Sequence, residues 1–304
     1  MMILNDFHCH LYTYDSGAVM NKIVTWILDQ QKEISVGMMF NNIREESLWE
    51  RGCGTDAASC ALSRASQPIA VQENYAGSEK ICIVPFIGIH PWDSAKASEE
   101  TINSLEEISS KTGAFIGEFG FDKLKGADKE KQLLLFRGCL EIALKNEKPF
   151  TIHCVRSWGI LTEELQKVKQ KIKAPFIIHA YNGTTEVAKT IISLGGYPCF
   201  GLEKYGAFSR KAADSISKID LKHILLETDF TCYSNAGLAE QDNDSENSIN
   251  VEYSREDNYY GKKYIKRLLA VYNEAALVLK MDIAELSGVI EENGKIFKTY
   301  TTDR

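Results

Sequence analysis

The sequence predicts a single closed (β/α)₈ barrel, and three observations support this prediction. Short apolar runs rich in β-branched residues alternate along the chain with longer segments of helical periodicity. The runs are nearly continuous, which is typical of parallel strands that are covered on both faces. There are eight of them, and eight strand–helix units close a barrel. An open doubly wound sheet is the alternative, but no G-x-G-x-x-G motif follows the first run, which weakens its commonest form.

The predicted strands are short, four to seven residues each. They cover residues 3–7, 35–40, 83–89, 114–118, 150–154, 176–180, 198–201 and 224–228. Two of the intervening helices have clear periodicity. In residues 128–145 the apolar side chains fall three or four positions apart, and Asp128 is placed to cap the first turn. A second apolar stripe runs from Tyr264 to Leu279.

We expect one domain over residues 1–304, interrupted by two insertions. The first covers about residues 41–80, after the second strand, and contains several glycines and a proline. The second covers about residues 231–260, after the eighth strand, and is polar and acidic. Loops of this length are usually functional or mobile.

Composition excludes several classes of protein. The chain is 44% hydrophobic and 25% charged, as ordinary globular proteins are, and no apolar run is long enough to span a bilayer. The N-terminal residues lack the basic and then apolar pattern of an export signal. The eight cysteines form no C-x-x-C pair. We therefore expect a cytoplasmic location and no membrane partner.

The net charge of −7 excludes a protein that coats nucleic acid through a broad basic surface. Residues 239–257 contain seven of the 42 acidic side chains but only one of the 35 basic ones. The rest of the chain is therefore close to neutral, which is compatible with an enzyme that admits a few phosphates or one chain end. We hypothesise that the acidic segment repels long duplexes.

Five of the six histidines lie at the C-terminal ends of predicted strands. They are His8, His10, His90, His153 and His179. Active sites of α/β barrels occupy this end of the strands. Side chains two positions apart on a strand point the same way, so the H-x-H pair can converge on one ion. The sixth histidine, His223, precedes the eighth strand, and we interpret it as structural.

Two carboxylates, Glu118 and Asp229, share that location. Each residue alone has a simpler interpretation: a hydrogen-bonded histidine pair, a core histidine, or a carboxylate that caps a helix. Together, imidazoles and carboxylates form a ligand set for zinc, manganese, nickel or iron. Six ligands exceed one tetrahedral site with an open position. They suit two ions about 3.5–4 Å apart, with one carboxylate as a bridge.

The ordered set of motifs resembles the TatD-related DNase family. The motifs are D-F-H-C-H at 6–10, G-I-H-P-W at 88–92, G-E-F-G-F-D at 117–122, I-H at 152–153, I-H at 178–179 and E-T-D at 227–229. The resemblance continues to N-G-K-I-F at 293–297 and leaves out only the two insertions. Within the wider superfamily of metal-dependent hydrolases, Glu118 distinguishes this family from relatives that use a carboxylated lysine there.

The resemblance implies a TIM-barrel enzyme with two divalent metal ions. Zinc, manganese, magnesium, nickel and iron are all candidates for these ions. The resemblance further implies that His8 and His10 hold one ion, that His153 and His179 hold the other, and that Glu118 bridges the two.

The remaining roles follow from the same resemblance. Asp229 is expected to ligate the first ion and to accept a proton from the attacking water. His90 and Arg156 are expected to contact a phosphate of the substrate. Asp122 is expected to support the ligands without touching an ion.

The implied activity is hydrolysis of phosphodiester bonds, as by a deoxyribonuclease of the 3′–5′ exonuclease type, with DNA or a nucleotide as substrate. The sequence departs from the family pattern at residues 180–183, at residues 201–204 and after Asp229, where the usual proline is missing. These departures border the substrate side of the pocket. Two alternatives therefore stay open: a hydrolase of a small-molecule amide, lactone or phosphoester, and a barrel that has lost catalysis and acts through an interaction surface.

Overall fold

The computed structural model has the predicted barrel architecture and describes residues 2–10, 34–44, 82–96, 98–126, 128–203, 206–231 and 259–300. The strands are β1 (Met2–His10), β2 (Ile34–Arg44), β3 (Cys82–Gly88), β4 (Phe115–Asp122), β5 (Phe150–Val155), β6 (Phe176–Ile178), β7 (Gly196–Phe200), β8 (Leu225–Leu226) and β9 (Phe230–Thr231). From β1 to β8, each strand pairs in parallel with the next. Neighbouring parallel strands need crossover connections, and in the described residues helices provide them from β3 to β8.

The barrel closes through a divided eighth strand. β8 pairs with β7, whereas β9 pairs in parallel with β1. The two short strands are separated only by residues 227–229. Asp229 has a left-handed backbone conformation with φ of 48°, which interrupts the extended chain. The strand predicted at 224–228 is therefore shorter than expected, and a second short strand, β9, follows it and includes Thr231, which the sequence assigned to the second insertion.

Helices cover the outside of the sheet. They are α1 (Glu99–Thr112), α2 (Lys129–Asn146), α3 (Trp158–Lys167), α4 (Thr185–Ser193), α5 (Arg210–Ile216), α6 (Tyr259–Leu279) and α7 (Ile283–Lys298), with 3₁₀ turns at Pro91–Lys96, Lys169–Lys171 and Leu221–His223. The predicted cap of α2 is present, because the carboxylate of Asp128 accepts a hydrogen bond from the backbone N–H of Lys131.

The strand β4 shows how the core orients the interior residues. Phe119 and Phe121 point outwards and pack on Phe136 of α2, with ring centroids 5.4 and 4.6 Å apart. Each buried phenylalanine contributes roughly 1.5–3 kcal/mol. Because strand side chains alternate between faces, Glu118 and Asp122 point into the barrel. β4 continues to Asp122, so Glu118 lies within its strand rather than at the end predicted from the apolar run.

The two predicted insertions lie almost entirely outside the described residues, as does the acidic segment 239–257. Residues 41–44, which the sequence assigned to the first insertion, instead continue β2 in register with Pro85–Gly88 of β3. Within the described part of the chain, no helix is long and apolar enough to cross a membrane. The cytoplasmic location stays a prediction.

The close approach of β4 and β5 requires glycine at position 120. A Cβ atom on Gly120 would lie 1.9 Å from the backbone oxygen of His153. We expect Gly120→Ala to push the two strands apart and to destabilise the fold by about 3 kcal/mol, as overpacking does. Gly159→Ala is the matched control, since a Cβ there meets nothing within 4 Å. Urea unfolding measures both variants, and equal stability of the two would contradict this account of the β4–β5 contact.

An ion pair between α2 and α3 makes stability depend on pH. Arg137 donates to both carboxylate oxygens of Glu164, at 2.7 and 2.9 Å, and this pairing lowers the pKa of Glu164 from 4.5 to about 2. Because folding lowers the pKa, the stabilisation is complete above about pH 5 and is lost as the pH falls towards 2. The guanidinium is half exposed, so solvent screens the pair and its contribution to stability is small.

We therefore expect the free energy of unfolding to fall more steeply between pH 5 and pH 3 in the wild type than in Glu164→Gln. Glu163→Gln, on the exposed side of the same helix, serves as the control and should follow the wild type. Denaturant unfolding across this range measures the difference. Parallel pH profiles for the wild type and Glu164→Gln would rule out this contribution.

Candidate metal centre

Four histidines from three parts of the sheet converge at the C-terminal end of the barrel. His8 and His10 project from β1, and their Nε2 atoms lie 3.2 Å apart. His153 on β5 and His179, directly after β6, place Nδ1 and Nε2 3.3 Å apart. The rings of His8 and His179 stack with centroids 3.9 Å apart, which joins the two pairs. All four residues are buried.

The carboxylate of Glu118 lies at the centre of these histidines. Its Oε2 lies 3.4 Å from Nε2 of His8. Its Oε1 lies 2.8 Å from Nδ1 of His153 and 3.1 Å from Nε2 of His179. The same Oε1 lies 3.3 Å from Nε2 of His90, which thereby joins the cluster. Burial opposes ionisation of Glu118, but the surrounding imidazoles outweigh burial and hold its pKa well below the usual range.

An irregularity in β4 positions this carboxylate. The pairing of β4 with β5 shifts register between Ile116 and Phe119, so Gly117 and Glu118 interrupt the regular ladder. Such irregularities re-aim side chains beside active sites. The central ligand therefore depends on a local break in a strand that is regular on both sides.

Asp122 holds His153 from the other side. Its Oδ2 lies 3.4 Å from Nε2 of His153 and accepts a 2.6 Å hydrogen bond from the indole Nε1 of Trp92. Its Oδ1 accepts hydrogen bonds from the backbone N–H groups of Leu124 and Lys125. Burial alone would raise the pKa of Asp122, but these hydrogen bonds outweigh burial. The pKa of Asp122 therefore lies below its usual range. Burial likewise opposes charge on His153, and hydrogen bonds to carboxylates raise its pKa overall.

Glu227 holds His179 and is completely buried. Its Oε1 lies 3.1 Å from Nδ1 of His179 and accepts a 2.8 Å hydrogen bond from the backbone N–H of Ala180. With Nδ1 as the donor, Nε2 of His179 faces Glu118 as a ligand atom. Burial opposes charge on His179, but Glu118 and Glu227 raise its pKa well above the usual range. A pKa raised in this way marks a place that attracts positive charge, whether a proton or a metal ion.

Asp6 ties the first strand to the divided eighth strand. Its Oδ1 accepts hydrogen bonds from the backbone N–H groups of His8 and Thr228, at 3.2 and 3.0 Å. Its Oδ2 accepts from the hydroxyls of Thr228 and Tyr264, at 2.6 and 2.9 Å. Burial raises the pKa of Asp6 to about 7, although the hydrogen bonds oppose this rise.

Asp229 lies at the open side of the cluster. Its Oδ1 lies 3.5 Å from Nε2 of His10 and 3.9 Å from Nε2 of His8. Its backbone N–H donates to the carbonyl of His8 at 3.0 Å. The surrounding protein raises the pKa of Asp229 through burial, yet 47% of its side-chain surface still faces solvent. This combination suits a group that meets water and substrate.

Among the residues that the structure describes, three groups of ligand atoms have the spacing that a metal ion requires, each group within 4.8 Å. They are His8, Glu118 and His179; His8, His10 and Asp229; and His90, Glu118 and His153. Buried ring nitrogens 3.2 Å apart repel each other unless a proton or a cation lies between them. Burial, with the charge of a neighbouring imidazole, lowers the pKa of His8 and favours its neutral, ligating form. The residues present therefore fit metal ions that prefer nitrogen and oxygen ligands.

The structure brings all six predicted ligands together, and it places His90 and Asp122 in contact with them. Arg156 stays apart: it is exposed in the turn after β5 and makes no hydrogen bond or ion pair with the described residues. Sequence reasoning missed Asp6, Glu227 and Trp92 as site residues. The first two had a signal, since each lies two positions before a predicted ligand. Trp92 had none, because its role depends on a contact with Asp122, 30 positions away.

An α/β barrel with imidazole and carboxylate ligands at the C-terminal ends of its strands has the architecture of a metal-dependent hydrolase. The family model described as TatD related DNase matches residues 5–297. This match covers nearly the whole chain, and the protein belongs to that family.

Relatives of known sequence agree with this assignment. The uncharacterized metal-dependent hydrolase YjjV of Escherichia coli (strain K12) is 26% identical over 205 residues, which are 64% of this chain and 78% of that protein. Deoxyribonuclease Tat-D of Schizosaccharomyces pombe is 23% identical over 161 residues, which are 49% of this chain and 51% of that protein. The protein is accordingly a metal-dependent hydrolase of the TatD family.

Solved structures agree on the fold. The crystal structure of the TatD homologue YjjV from Escherichia coli has a TM-score of 0.64 at 18% identity and covers 97% of both chains. A TatD family hydrolase from Entamoeba histolytica has a TM-score of 0.65 at 16% identity, again over 97% of both chains. These likenesses support the barrel over its full length.

The contact between Glu227 and His179 leads to a prediction about metal affinity. Removing the charge of Glu227 weakens the orientation and basicity of the imidazole, and such outer partners typically contribute about 10–100-fold in metal affinity. We expect Glu227→Gln to lower the affinity for Zn²⁺ or Mn²⁺ by about this factor. Glu186→Gln, on the exposed first turn of α4, is the matched control. Competition with a chromophoric chelator measures both, and equal affinities would refute the role of Glu227.

Proposed function

We propose that this protein is a phosphodiesterase that hydrolyses DNA from a chain end, using two divalent metal ions. The observation that carries the proposal is the position of Glu118, whose two oxygens face different histidine groups. Oε2 faces His8 at 3.4 Å, and Oε1 faces His153 and His179 at 2.8 and 3.1 Å. A carboxylate arranged in this way is suited to bridge two ions.

These distances support the ligand assignment that the family resemblance implies. His8, His10 and Asp229 would hold the first ion, His153 and His179 the second, and Glu118 both. When bound, the ions would lower the pKa of a water molecule and neutralise charge on the phosphoryl oxygens.

Asp229 is the proposed proton acceptor. Its side chain is 47% exposed, so attacking water can reach it. Its pKa is raised by burial, and a carboxylate with a raised pKa accepts a proton more readily near neutral pH. The backbone hydrogen bond from Asp229 to His8 fixes the carboxylate beside the first histidine pair. In this proposal Asp229 takes one proton from the water that attacks phosphorus.

Basic side chains at the mouth would bind the phosphates of the substrate. Arg156 is exposed in the turn after β5, and its planar guanidinium matches two phosphate oxygens. Lys123 and Lys125 are exposed in the loop that follows β4. The sequence assigns His90 to a phosphate of the substrate. Its contact with Oε1 of Glu118 also suits a metal ligand.

The name of the relative from Schizosaccharomyces pombe, Deoxyribonuclease Tat-D, supports DNA as the substrate. A second candidate function keeps the metal centre but changes the bond to that of a small-molecule amide, lactone or phosphoester. The observation in its favour is the exposure of Asn182 and Glu203, which replace the usual family residues in the loops after β6 and β7.

The proposal predicts the effect of one isosteric change. Glu118→Gln keeps the shape but removes the bridging charge, so we expect hydrolysis of bis(p-nitrophenyl) phosphate and of a short DNA oligonucleotide to fall at least about 100-fold. Glu130→Gln, exposed on the first turn of α2, should retain full activity. Chelator treatment should abolish turnover in the wild type, and added Mn²⁺ or Zn²⁺ should restore it.

Three outcomes distinguish the candidates. Loss of phosphodiester hydrolysis in Glu118→Gln, with the circular dichroism spectrum unchanged, supports the proposal. Equal rates in both proteins would show that another site is responsible. Turnover of amides, lactones or small phosphoesters, with none of DNA, would favour the second candidate.

A further inference from the structure

We propose that Trp92 forms the stacking platform for the base of the nucleotide bound at the metal centre, and that the same side chain positions His153 through Asp122. The inference rests on the proposed action on nucleic acid. Trp92 lies in the 3₁₀ turn Pro91–Lys96, shortly after the end of β3. Of this residue, 37% is exposed. It is therefore an aromatic surface at the mouth of a buried polar cluster.

The indole of Trp92 lies next to two histidines of the metal centre. Its ring centroid is 4.7 Å from that of His90 and 6.5 Å from that of His153, with the rings edge to face in both cases. A base seated on the indole consequently belongs to a nucleotide whose phosphate lies near the cluster. Stacking on aromatic side chains is the usual way in which proteins hold bases of single strands and chain ends.

Lys125 marks the stacking position. Its Nζ lies 4.0 Å from the centroid of the Trp92 ring, so this face of the indole is covered by a flexible side chain and not by the core. Stacking of a base on an aromatic ring is stronger than an exposed cation–π contact. We infer that the base displaces the ammonium group, which then pairs with the adjacent phosphate.

The rim around the platform is both apolar and fixed in place. Leu124 is 60% exposed beside Lys125, so it offers a second apolar contact. Oδ1 of Asp122 accepts hydrogen bonds from the backbone N–H groups of Leu124 and Lys125, at 2.7 and 3.0 Å. These bonds hold the rim against the end of β4, so that little ordering is needed when a nucleotide binds.

The second role of Trp92 follows from its N–H group. Nε1 donates to Oδ2 of Asp122 at 2.6 Å, and the same oxygen lies 3.4 Å from Nε2 of His153. Asp122 is thus held between the platform and a proposed ligand. Since outer hydrogen bonds orient ligating imidazoles, Trp92 is a positioning residue for His153 as well as a contact for the base.

Two variants separate these roles. Trp92→Phe keeps an aromatic face but removes the N–H donor, whereas Trp92→Leu removes both. Trp158→Phe is the matched control, because that indole packs on Tyr181, with centroids 5.0 Å apart. The first probe is a fluorescently labelled deoxyadenosine trinucleotide, compared with the same trinucleotide carrying an abasic terminal residue. Binding is measured on chelator-treated protein, and Zn²⁺ affinity is measured separately.

We expect Trp92→Leu to weaken binding of the intact trinucleotide about ten-fold and to leave binding of the abasic one unchanged. Trp92→Phe should retain most of the base-dependent binding. Both variants should lower the affinity for Zn²⁺ by up to about ten-fold, while Trp158→Phe should match the wild type in every measurement.

Equal binding of the intact and abasic trinucleotides by the wild type would overturn the platform, even if phosphodiester hydrolysis is observed. Unchanged Zn²⁺ affinity in Trp92→Phe would overturn the positioning role. Base-dependent binding that requires Trp92, in a protein that hydrolyses no phosphodiester, would uphold the platform and refute the proposed function. The two proposals therefore fail separately.

Discussion

The carboxylate of Asp6 accepts hydrogen bonds from parts of the chain that are far apart in sequence. Thr228 lies 222 positions away and Tyr264 lies 258 positions away, and the backbone N–H of His8 is the local donor. These bonds fasten β1 to the divided eighth strand where the barrel must close. A buried carboxylate costs free energy unless its oxygens are satisfied, so strand closure and the satisfaction of Asp6 require each other.

The closure of the barrel between β1 and the divided eighth strand helps to set the geometry of the metal centre. His8 is bonded through its backbone to both Asp6 and Asp229, so two proposed ligands of one ion are fixed by the same junction. Glu118 reaches the cluster from β4 through a register break, and Glu227 orients His179 from the eighth strand. The ligands therefore come from strands that are distant in sequence, and the barrel sets the distances between them more than any local segment does.

Sequence alone could predict the barrel and the composition of the candidate site. Strand–helix alternation fixes the fold class, and ligand chemistry restricts the residue types, so His8 and Glu118 stand out without coordinates. The contacts of Asp6 and Trp92 could not be predicted, because they depend on partners brought together only by the tertiary fold. The contact of His90 with Glu118 was missed for the same reason. The division of the eighth strand depends on the backbone conformation of Asp229, which apolar patterning does not encode.

The hydrogen bonds between α6 and β1 have a consequence for biosynthesis. Tyr264 bonds to Asp6, and Tyr272 bonds to the backbone of Asn5, so residues synthesised much later complete the surroundings of the first strand. Contacts of such high sequence separation form late in folding. A ribosome-bound chain that does not yet contain α6 lacks the contacts of Tyr264 and Tyr272 with β1, the strand that carries His8 and His10.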